Sequence, residues 1–224
     1  CSERAIEKSI ICITNYTDAD AERIRKDEAK CDRYEDEIGT YLVNLSSQKM
    51  GDEESEQAAA LLKMIGDLER ISDHAVNVLN STEELRQKGY TLTEDAIKEL
   101  DILTGATKEI LDITFKALKD TDTEIAKRVQ PLEQVIDIIK EKMRTHHIRR
   151  MQQGLCTIEA GFVWSDLLTD LERVSDHCSN IAASVLKAHN AGLDKHEFLK
   201  QLKSYDNKEF SQTYDDFKEK YALV

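Results

Sequence analysis

The amino-acid sequence predicts an all-α protein, and three observations support this fold class. One proline and eight glycines among 224 residues leave few of the turns that a β-sandwich or barrel needs. Glu, Lys, Leu, Ile and Ala are abundant, and with so little Gly and Pro this composition favours long helices. Apolar residues recur at intervals of three, four or seven, the spacing of an amphipathic helix.

One segment occurs twice in the chain, which indicates a tandem duplication. Residues 67–81 and 170–184 both begin Asp-Leu-Glu-Arg, continue through Ser-Asp-His and are identical at nine of fifteen positions. Each copy places a glutamate and an aspartate four residues apart: Glu69 with Asp73, and Glu172 with Asp176. On a helix such a pair lies on one face, one turn apart. Each copy therefore presents two stacked carboxylates.

The first half of the chain has the pattern of three helices. Isoleucines at helical spacing predict a first helix from residue 2 to about residue 16, after which Thr17 and Asp18 provide a new N-cap. An apolar stripe over residues 21–45 predicts the second helix. After a turn at Gly51, the third helix runs through the first copy of the repeated segment and ends at Gly89.

The second half repeats this arrangement. Residues 91–94 open a fourth helix that runs to residue 120, and Thr121 with Glu124 predicts a capping box at the start of the fifth. Pro131 lies inside the apolar stripe of the fifth helix, where a proline costs about 3 kcal/mol, so a kink is predicted. After a break at Gly154, a sixth helix runs to residues 191–192. A further helical pattern over residues 196–223 lies outside the repeat.

Three consecutive helices joined by short turns pack up, down and up. The sequence therefore predicts two tandem, pseudo-symmetric three-helix bundles plus a C-terminal helix. The predicted boundaries are residues 1–90 for the first bundle, 91–192 for the second and 193–224 for the C-terminal extension.

Charge and cysteine content narrow the function. A formal net charge of −13 repels phosphate backbones and anionic headgroups, which argues against a nucleic-acid or membrane-surface role. No apolar run approaches the roughly 18 residues of a membrane span. Five cysteines without short paired spacing indicate neither a disulfide framework nor a zinc ribbon. We expect a soluble chain that does not insert into the membrane, in a reducing cytoplasm.

The second helix of each half carries a carboxylate pair at the same spacing as the repeated segment: Glu28 with Asp32, and Glu133 with Asp137. Helical geometry places all of these acids at the border of the apolar stripe. Because consecutive helices run antiparallel, two pairs can converge in each bundle. We name these sets the first seam (Glu28, Asp32, Glu69 and Asp73) and the second seam (Glu133, Asp137, Glu172 and Asp176).

Four clustered carboxylates repel one another unless they are protonated or bridged by cations. Hard oxygen ligands without thiolate or imidazole suit Fe, Mn, Mg, Ca or Zn. A single glutamate–aspartate pair on a highly charged helix is more often solvated surface. Four pairs in matching register across a duplication favour metal binding.

Four further polar residues of the repeated segment lie off the carboxylate pairs, and the sequence predicts simpler roles for them. We expect His74 and His177 to cap a helix or to hydrogen-bond locally. Asn77 and Asn180 extend the line of carboxylates by one turn, either behind the metal ligands or on the surface. Trp164 is expected in the core.

These motifs resemble a known family. DLERISDH and DLERVSDH resemble the third-helix signature of PhoU proteins, and DEAKCDRYEDEI resembles their second-helix segment. The resemblance covers roughly residues 1–192. It implies two three-helix bundles, a role in phosphate uptake and phosphate-starvation signalling, and multinuclear iron or zinc clusters. Mn, Mg and Ca are the other candidates that the oxygen ligands allow. Carried over to this chain, the two seams become the two metal sites.

Two features of the sequence lie outside the matching motifs: a pair of serines that replace glycines, and the C-terminal stretch. Ser72 and Ser175 stand where the family usually has glycine, so each hydroxyl either alters close packing or adds a ligand oxygen. The C-terminal stretch resembles the end of PhoU domains fused behind bacterial sodium/phosphate cotransporters. Together with Cys1 at the start, this resemblance predicts a portion of a membrane protein that lies in the cytoplasm, at the cytosolic face of the membrane.

The leading hypothesis is a non-enzymatic regulatory module whose partner is a phosphate transporter or a phosphate-sensing kinase. A carboxylate-bridged di-metal enzyme is one alternative, although such enzymes use Glu-x-x-His motifs and no acid precedes His74 or His177 by three residues on the carboxylate face. A metal-free helical adaptor is the other, and elemental analysis separates it from the first two. Homo-oligomer formation is left open.

Overall fold

The computed structural model describes residues 1–46, 51–189 and 208–223, and within these ranges it contains helices and no strand. The all-α prediction is confirmed. The helices are α1 (Ser2–Thr14), α2 (Asp18–Ser46), α3 (Asp52–Gln87), α4 (Glu94–Asp120), α5 (Thr123–Ala126), α6 (Val129–Gln152), α7 (Ile158–His189) and α8 (Lys208–Lys220).

Several helix ends follow the local signals of the sequence. Thr93 Oγ1 accepts a hydrogen bond from the Ala96 N–H at 3.2 Å and caps α4. Gly89 follows α3 with φ +65°, and Gly154 follows α6 with φ +69°, a conformation that glycine adopts without strain. The predicted Thr121 cap is wrong: Thr121 has φ 52° and ends α4, and Asp122 caps α5 by accepting from the Glu124 N–H at 2.9 Å.

Pro131 does not kink a continuous helix as predicted. The helix is interrupted there: α5 ends at Ala126 and α6 begins at Val129. Pro131 is therefore the third residue of α6. The first backbone N–H groups of a helix have no intrahelical partner. Proline therefore sacrifices no hydrogen bond at this position.

Helices α1, α2 and α3 pack together as the first bundle, and α4, α6 and α7 as the second. α3 and α7 pack against each other at the centre, so one apolar core runs through both bundles. Trp164, 1% exposed, belongs to this core as predicted. The bundle boundaries after residues 90 and 192 stay predictions.

The C-terminal extension is described only in part, as α8 and the residues that follow it. α8 packs on α6, and the Tyr221 hydroxyl after it donates to Glu109 Oε2 at 2.5 Å. Residues 190–207, which include the predicted end of the sixth helix and the start of the C-terminal helix, lie outside the described residues. Within the described part, no helix is both long and apolar enough to cross a membrane.

Candidate metal centres

The eight predicted ligands lie on four helices at the border of the core. α2 and α3 carry the first seam, and α6 and α7 carry the second. Glu133 and Glu172 are buried and Asp32 is exposed, while the other five are half-buried. This border position is the one that the helical spacing predicts.

The carboxylates of the first seam share one electrostatic environment. Burial, then a hydrogen bond with Asp73, then the charges of Asp73, Glu35 and Asp32 raise the pKa of Glu69 to about 7. Burial and the charges of Asp73 and Asp32 also raise the pKa of Glu28. All four predicted ligands therefore interact, and Glu35 adds a fifth carboxylate to the group.

No described lysine, arginine or histidine forms an ion pair with any of these five carboxylates. Arg70, the neighbour of Glu69 in the chain, is exposed. Like charges at short range destabilise the site unless a proton or a cation joins them. The first seam thus holds negative charge that no described side chain balances.

The second seam is different, because two cations lie within it. Burial and the neighbouring Glu172 raise the pKa of Asp137, and burial and Glu172 do the same for Asp176. Lys140 Nζ lies 3.1 Å from Glu172 Oε2, and Arg173 Nη1 lies 3.0 Å from Asp176 Oδ2. These contacts neutralise part of the charge that a metal ion would otherwise balance.

Glu133, the fourth acid of the second seam, has an uncharged partner. The Gln130 side-chain amide donates a hydrogen bond to Glu133 Oε2. The Ser179 hydroxyl in turn donates to Gln130 Oε1 at 2.8 Å, which links this end of α6 to α7.

One pair of equivalent positions accounts for much of the difference between the seams. Residues of α2 correspond to residues of α6 that are 105 positions later, as Glu28 does to Glu133. The same offset matches Glu35 with Lys140. A glutamate thus adds negative charge to the first seam where a lysine neutralises the second. Sequence reasoning missed this pair, although the alignment that matched the carboxylates contains it.

The seams do not form compact ligand clusters in this structure. Among the described residues, a group of three carboxylate oxygens within 4.8 Å of one another is found at Glu3, Glu7 and Asp112, on α1 and α4. Neither seam forms such a group. The donor types and the unbalanced charge of the first seam fit hard cations, and binding would draw its oxygens closer together.

Ser72 and Ser175 do not offer ligand oxygens to the seams. The Ser72 hydroxyl donates to the Glu69 carbonyl at 2.6 Å, and the Ser175 hydroxyl donates to the Glu172 carbonyl at 2.7 Å. Both serines are completely buried. Each hydroxyl is therefore satisfied within its own helix, as serines inside helices often are.

The histidines of the repeated segment join the two bundles, so the prediction of local contacts was wrong. His74 Nδ1 lies 2.8 Å from Asp170 Oδ1, and His177 Nδ1 lies 2.9 Å from Asp67 Oδ1. The two contacts are reciprocal because α3 and α7 pack together and carry the same Asp-to-His spacing of seven residues. The rings of His74 and His177 stack between them with centroids 5.5 Å apart.

The asparagines reinforce the same interface. Asn77 donates to Asp170 Oδ1 and Asn180 donates to Asp67 Oδ1, both at 3.3 Å. They therefore bind the aspartates that open each repeated segment and lie away from the predicted metal ligands.

The fold and the seams define a class of protein: duplicated helical bundles in which carboxylate pairs recur in register. Comparison with known families identifies the class. The chain belongs to the PhoU domain family, whose model matches residues 1–82 and 100–185.

Two relatives are accessory proteins by name. The phosphate-specific transport system accessory protein PhoU homolog 1 of Thermotoga maritima is 31% identical over 144 residues, which cover 64% of this chain and 61% of that protein. The PhoU homolog of Borreliella burgdorferi is 24% identical over 185 residues, or 81% of this chain and 83% of that protein.

A third relative is much longer than this chain. The putative inorganic phosphate export protein YjbB of Escherichia coli K12 is 25% identical over 154 residues, which are 67% of this chain but 28% of that protein.

Among solved structures, PhoU from Pseudomonas aeruginosa aligns with a TM-score of 0.76 at 19% identity, covering 84% of this chain and 90% of that one. PhoU from Streptococcus pneumoniae aligns with a TM-score of 0.71 at 15% identity.

Proposed function

We propose that this chain is a regulatory module of phosphate transport that acts by docking to a phosphate transporter or a phosphate-sensing kinase. The observation that carries the proposal is the family match over both bundles, together with relatives named for phosphate-specific transport and phosphate export. The much longer Escherichia coli relative supports a chain fused to a membrane transporter, with these bundles at the cytosolic face.

The first seam is the better of the two metal sites in this proposal. Its five carboxylates lack ion-pair partners among the described residues, so a bound cation would relieve their repulsion. Glu28, Asp32, Glu69 and Asp73 would be ligands, with Glu35 close by. Oxygen donors suit iron, zinc, manganese, magnesium or calcium, and the number of carboxylates is enough for a cluster of more than one ion.

The second seam, formed by Glu133, Asp137, Glu172 and Asp176, would bind metal more weakly. Lys140 and Arg173 already form ion pairs with Glu172 and Asp176, and a metal ion must compete with both side chains. Asp137 and Glu172 also line an open groove of about 810 Å³ that contains Lys142 and Arg149. The two sites are therefore unequal, in contrast to the equal sites that the duplication alone predicts.

Metal content of the protein, purified without a histidine tag or chelator, tests this proposal. We expect the double variant Glu69→Ala and Asp73→Ala to lose more than half of the bound metal and to keep its helical circular dichroism. The equivalent variant, Glu172→Ala and Asp176→Ala, is the matched control and should lose less. Equal losses would contradict the unequal sites, and metal-free wild-type protein would favour a metal-free adaptor.

A charge exchange isolates the contribution of the position that differs between the seams. Glu35→Lys should weaken metal binding at the first seam, and Lys140→Glu should strengthen it at the second. Neither side chain is part of the predicted ligand set. Each substitution therefore tests how the charge next to the ligands affects the affinity for metal. Unchanged affinities in both variants would show that Glu35 and Lys140 do not set the difference.

The regulatory role is tested by phosphate uptake in a bacterial host that expresses the full-length protein. Removing residues 1–224 or neutralising the first seam should change phosphate uptake or its repression in phosphate-rich medium. The enzyme alternative predicts unaltered uptake and metal-dependent turnover of a phosphoester by purified protein. His74 and His177 do not support it as metal ligands of the seams, because each binds an aspartate of the other bundle through Nδ1.

A further inference from the structure

A cysteine and a histidine lie side by side at the turn between α6 and α7, outside both seams. Cys156 Sγ is 3.9 Å from His147 Nδ1, within reach of an S–H···N contact. Cys156 is half-buried and Cys1 is exposed, whereas the other three cysteines are buried. A reagent in solution can therefore reach the thiol of Cys156, and an imidazole nitrogen lies beside it.

The backbone holds Cys156 from both sides. α6 ends in a turn in which the Leu155 N–H donates to the Arg150 carbonyl at 3.0 Å. On the other side, Thr157 Oγ1 accepts from the Ala160 N–H at 3.2 Å and caps α7. Cys156 thus lies directly before the N-terminal end of a helix of 32 residues, where the helix dipole favours negative charge.

The imidazole of His147 is buried, and the thiol is its hydrogen-bonding neighbour. His147 is 8% exposed, and its Nε2 has no hydrogen-bond partner among the described residues. The ring stacks on Trp164 with centroids 6.0 Å apart. A Cβ atom at position 161 would lie 2.7 Å from Nε2, so Gly161 leaves the space that the ring occupies. These contacts hold the ring with Nδ1 toward Cys156.

The surroundings of His147 favour the neutral ring. Burial, and then the charge of Arg150 on α6, lower the pKa of His147, while the charge of Glu99 on α4 opposes them. Arg150 donates to Glu99 at 2.9 Å, and His146 Nδ1 lies 2.6 Å from the same carboxylate, so Glu99 already has two partners. At pH 7 the ring of His147 is therefore neutral, and Nδ1 accepts a proton when the ring proton is on Nε2.

We propose that Cys156 is a modification site for hydroperoxides, with His147 as the base that takes the thiol proton. The S–H proton moves to Nδ1, and the thiolate attacks one peroxide oxygen, so that an S–O bond forms and the O–O bond breaks. The leaving hydroxide or alkoxide takes the proton back from the imidazolium and departs as water or an alcohol. The sulfur is oxidised to a sulfenic acid by two electrons, and the peroxide is reduced by the same two.

The modification would change an apolar part of the surface. Leu155 and Ile158, on either side of the turn, are 58% and 66% exposed, and Phe162, one helical turn further along α7, is 68% exposed. Large exposed apolar side chains in one region are typical of surfaces that contact other molecules. A sulfenic acid at Cys156 introduces a polar group among them.

Competitive labelling of the reduced protein tests the reactivity of Cys156. With a limiting amount of iodoacetamide at pH 7, mass spectrometry compares alkylation of Cys156 with that of Cys1. We expect Cys156 to react about ten times faster, although it is the less exposed of the two. After treatment with hydrogen peroxide, dimedone should trap a sulfenic acid at Cys156. Slower alkylation than at Cys1, or no dimedone adduct, would overturn the proposal.

Two variants separate the effect of His147 from that of the position at the helix end. His147→Asn keeps a polar group near Nδ1 that cannot take the proton, so alkylation of Cys156 should slow about tenfold. The double variant Leu155→Cys and Cys156→Ser keeps His147 and moves the thiol by one residue, before the same helix. Its new thiol should react no faster than Cys1.

The buried cysteines show whether His147→Asn keeps the fold, because they become labelled only when the chain opens: Cys12, Cys31 and Cys178. If they are labelled in this variant, the double variant decides, since it retains His147. A wild-type rate at Cys156 in the folded His147→Asn variant would overturn the proposal. So would a thiol at position 155 that reacts as fast as Cys156.

Discussion

Asp67 is buried between α3 and α7 with its two oxygens in different situations. Oδ1 is bound by His177 and Asn180, whereas Oδ2 has no hydrogen-bond partner among the described residues. A buried carboxylate with one free oxygen depends strongly on the contacts it keeps. At the scale of single residues, the reciprocal pairs between the bundles are therefore unequal in importance.

We predict that His177→Ala destabilises the protein by about 2–3 kcal/mol and His74→Ala by about 1 kcal/mol. The side chains of His177 and Asp67 are 9% and 7% exposed, whereas those of His74 and Asp170 are 18% and 14% exposed, so water replaces the second pair more easily. Urea denaturation followed by circular dichroism measures both costs. Equal values would show that burial does not distinguish the two pairs.

Asp27 gives a prediction for pH. The hydrogen bond from Arg4, ahead of the charges of Arg4 and Arg23, holds the pKa of Asp27 below its usual range, although burial opposes it. A folded-state pKa below the unfolded value means that the contact stabilises above pH ~4 and that this stability is lost as the pH falls through the folded pKa. Asp27→Asn should therefore lower Tm at pH 7, and the difference from wild type should shrink below pH ~4.

Asp36→Asn is the control for this series, because Asp36 lies on the exposed side of α2. Its Tm should follow that of the wild type at every pH. A constant difference between Asp27→Asn and wild type from pH ~7 to ~2.5 would show that the contact with Arg4 is not what stabilises the fold there.

The sequence predicts which of these residues are equivalent, but it does not predict all of their contacts. The equivalence of Asp67 and Asp170 follows from the duplication, but their partners depend on how α3 and α7 pack, and no local spacing encodes that. The seam acids were found because a four-residue spacing on a helix has a direct geometric meaning. The same alignment contains the charge difference between Glu35 and Lys140. It does not show that Lys140 lies 3.1 Å from Glu172, and this contact is what links the difference to the second seam.

At the scale of helices, local signals predicted most ends correctly because caps act within a few residues. Thr93, Gly89 and Gly154 all end or begin a helix where expected. The break between α5 and α6 was not predicted, since the apolar stripe continues across it. Periodicity shows which face is buried, but it does not show whether the hydrogen-bond ladder beneath is continuous.

Pro131 gives the prediction for this scale. In a helix interior, Pro131→Ala would stabilise by about 3 kcal/mol. At the third position of α6 we expect the opposite: a loss of about 0.5–1 kcal/mol, because alanine gives the unfolded chain more freedom and no hydrogen bond is regained. Thermal unfolding of the two proteins decides the sign, and a clear increase in Tm would contradict the position assigned to Pro131.

At the scale of the whole molecule, the net charge of −13 and the unbalanced first seam both destabilise the folded state through repulsion, and both favour the binding of a cation. A metal that binds only the native state at 100 times its dissociation constant adds about 2.7 kcal/mol, which raises Tm by roughly 5–10 °C in a chain of this length. We predict such a rise when Mn²⁺ is added to protein treated with EDTA.

Glu35→Lys serves as the comparison in this titration. In EDTA it should melt higher than the wild type, because it removes repulsion, and it should respond less to Mn²⁺. A wild-type Tm that is the same in EDTA and in Mn²⁺ would contradict the account of the first seam.

The reciprocal contacts between α3 and α7 have a consequence for the origin of the molecule. In a symmetric homodimer every contact across the twofold axis occurs twice with the two roles exchanged, and His74 with Asp170 and His177 with Asp67 have this relation. Two copies of a single half, each with the aspartate and the histidine on one helix, would make the same two contacts across a twofold axis. A tandem duplication makes such an encounter intramolecular, so that it does not depend on protein concentration. The halves were then free to diverge, and Glu35 and Lys140 record one such divergence.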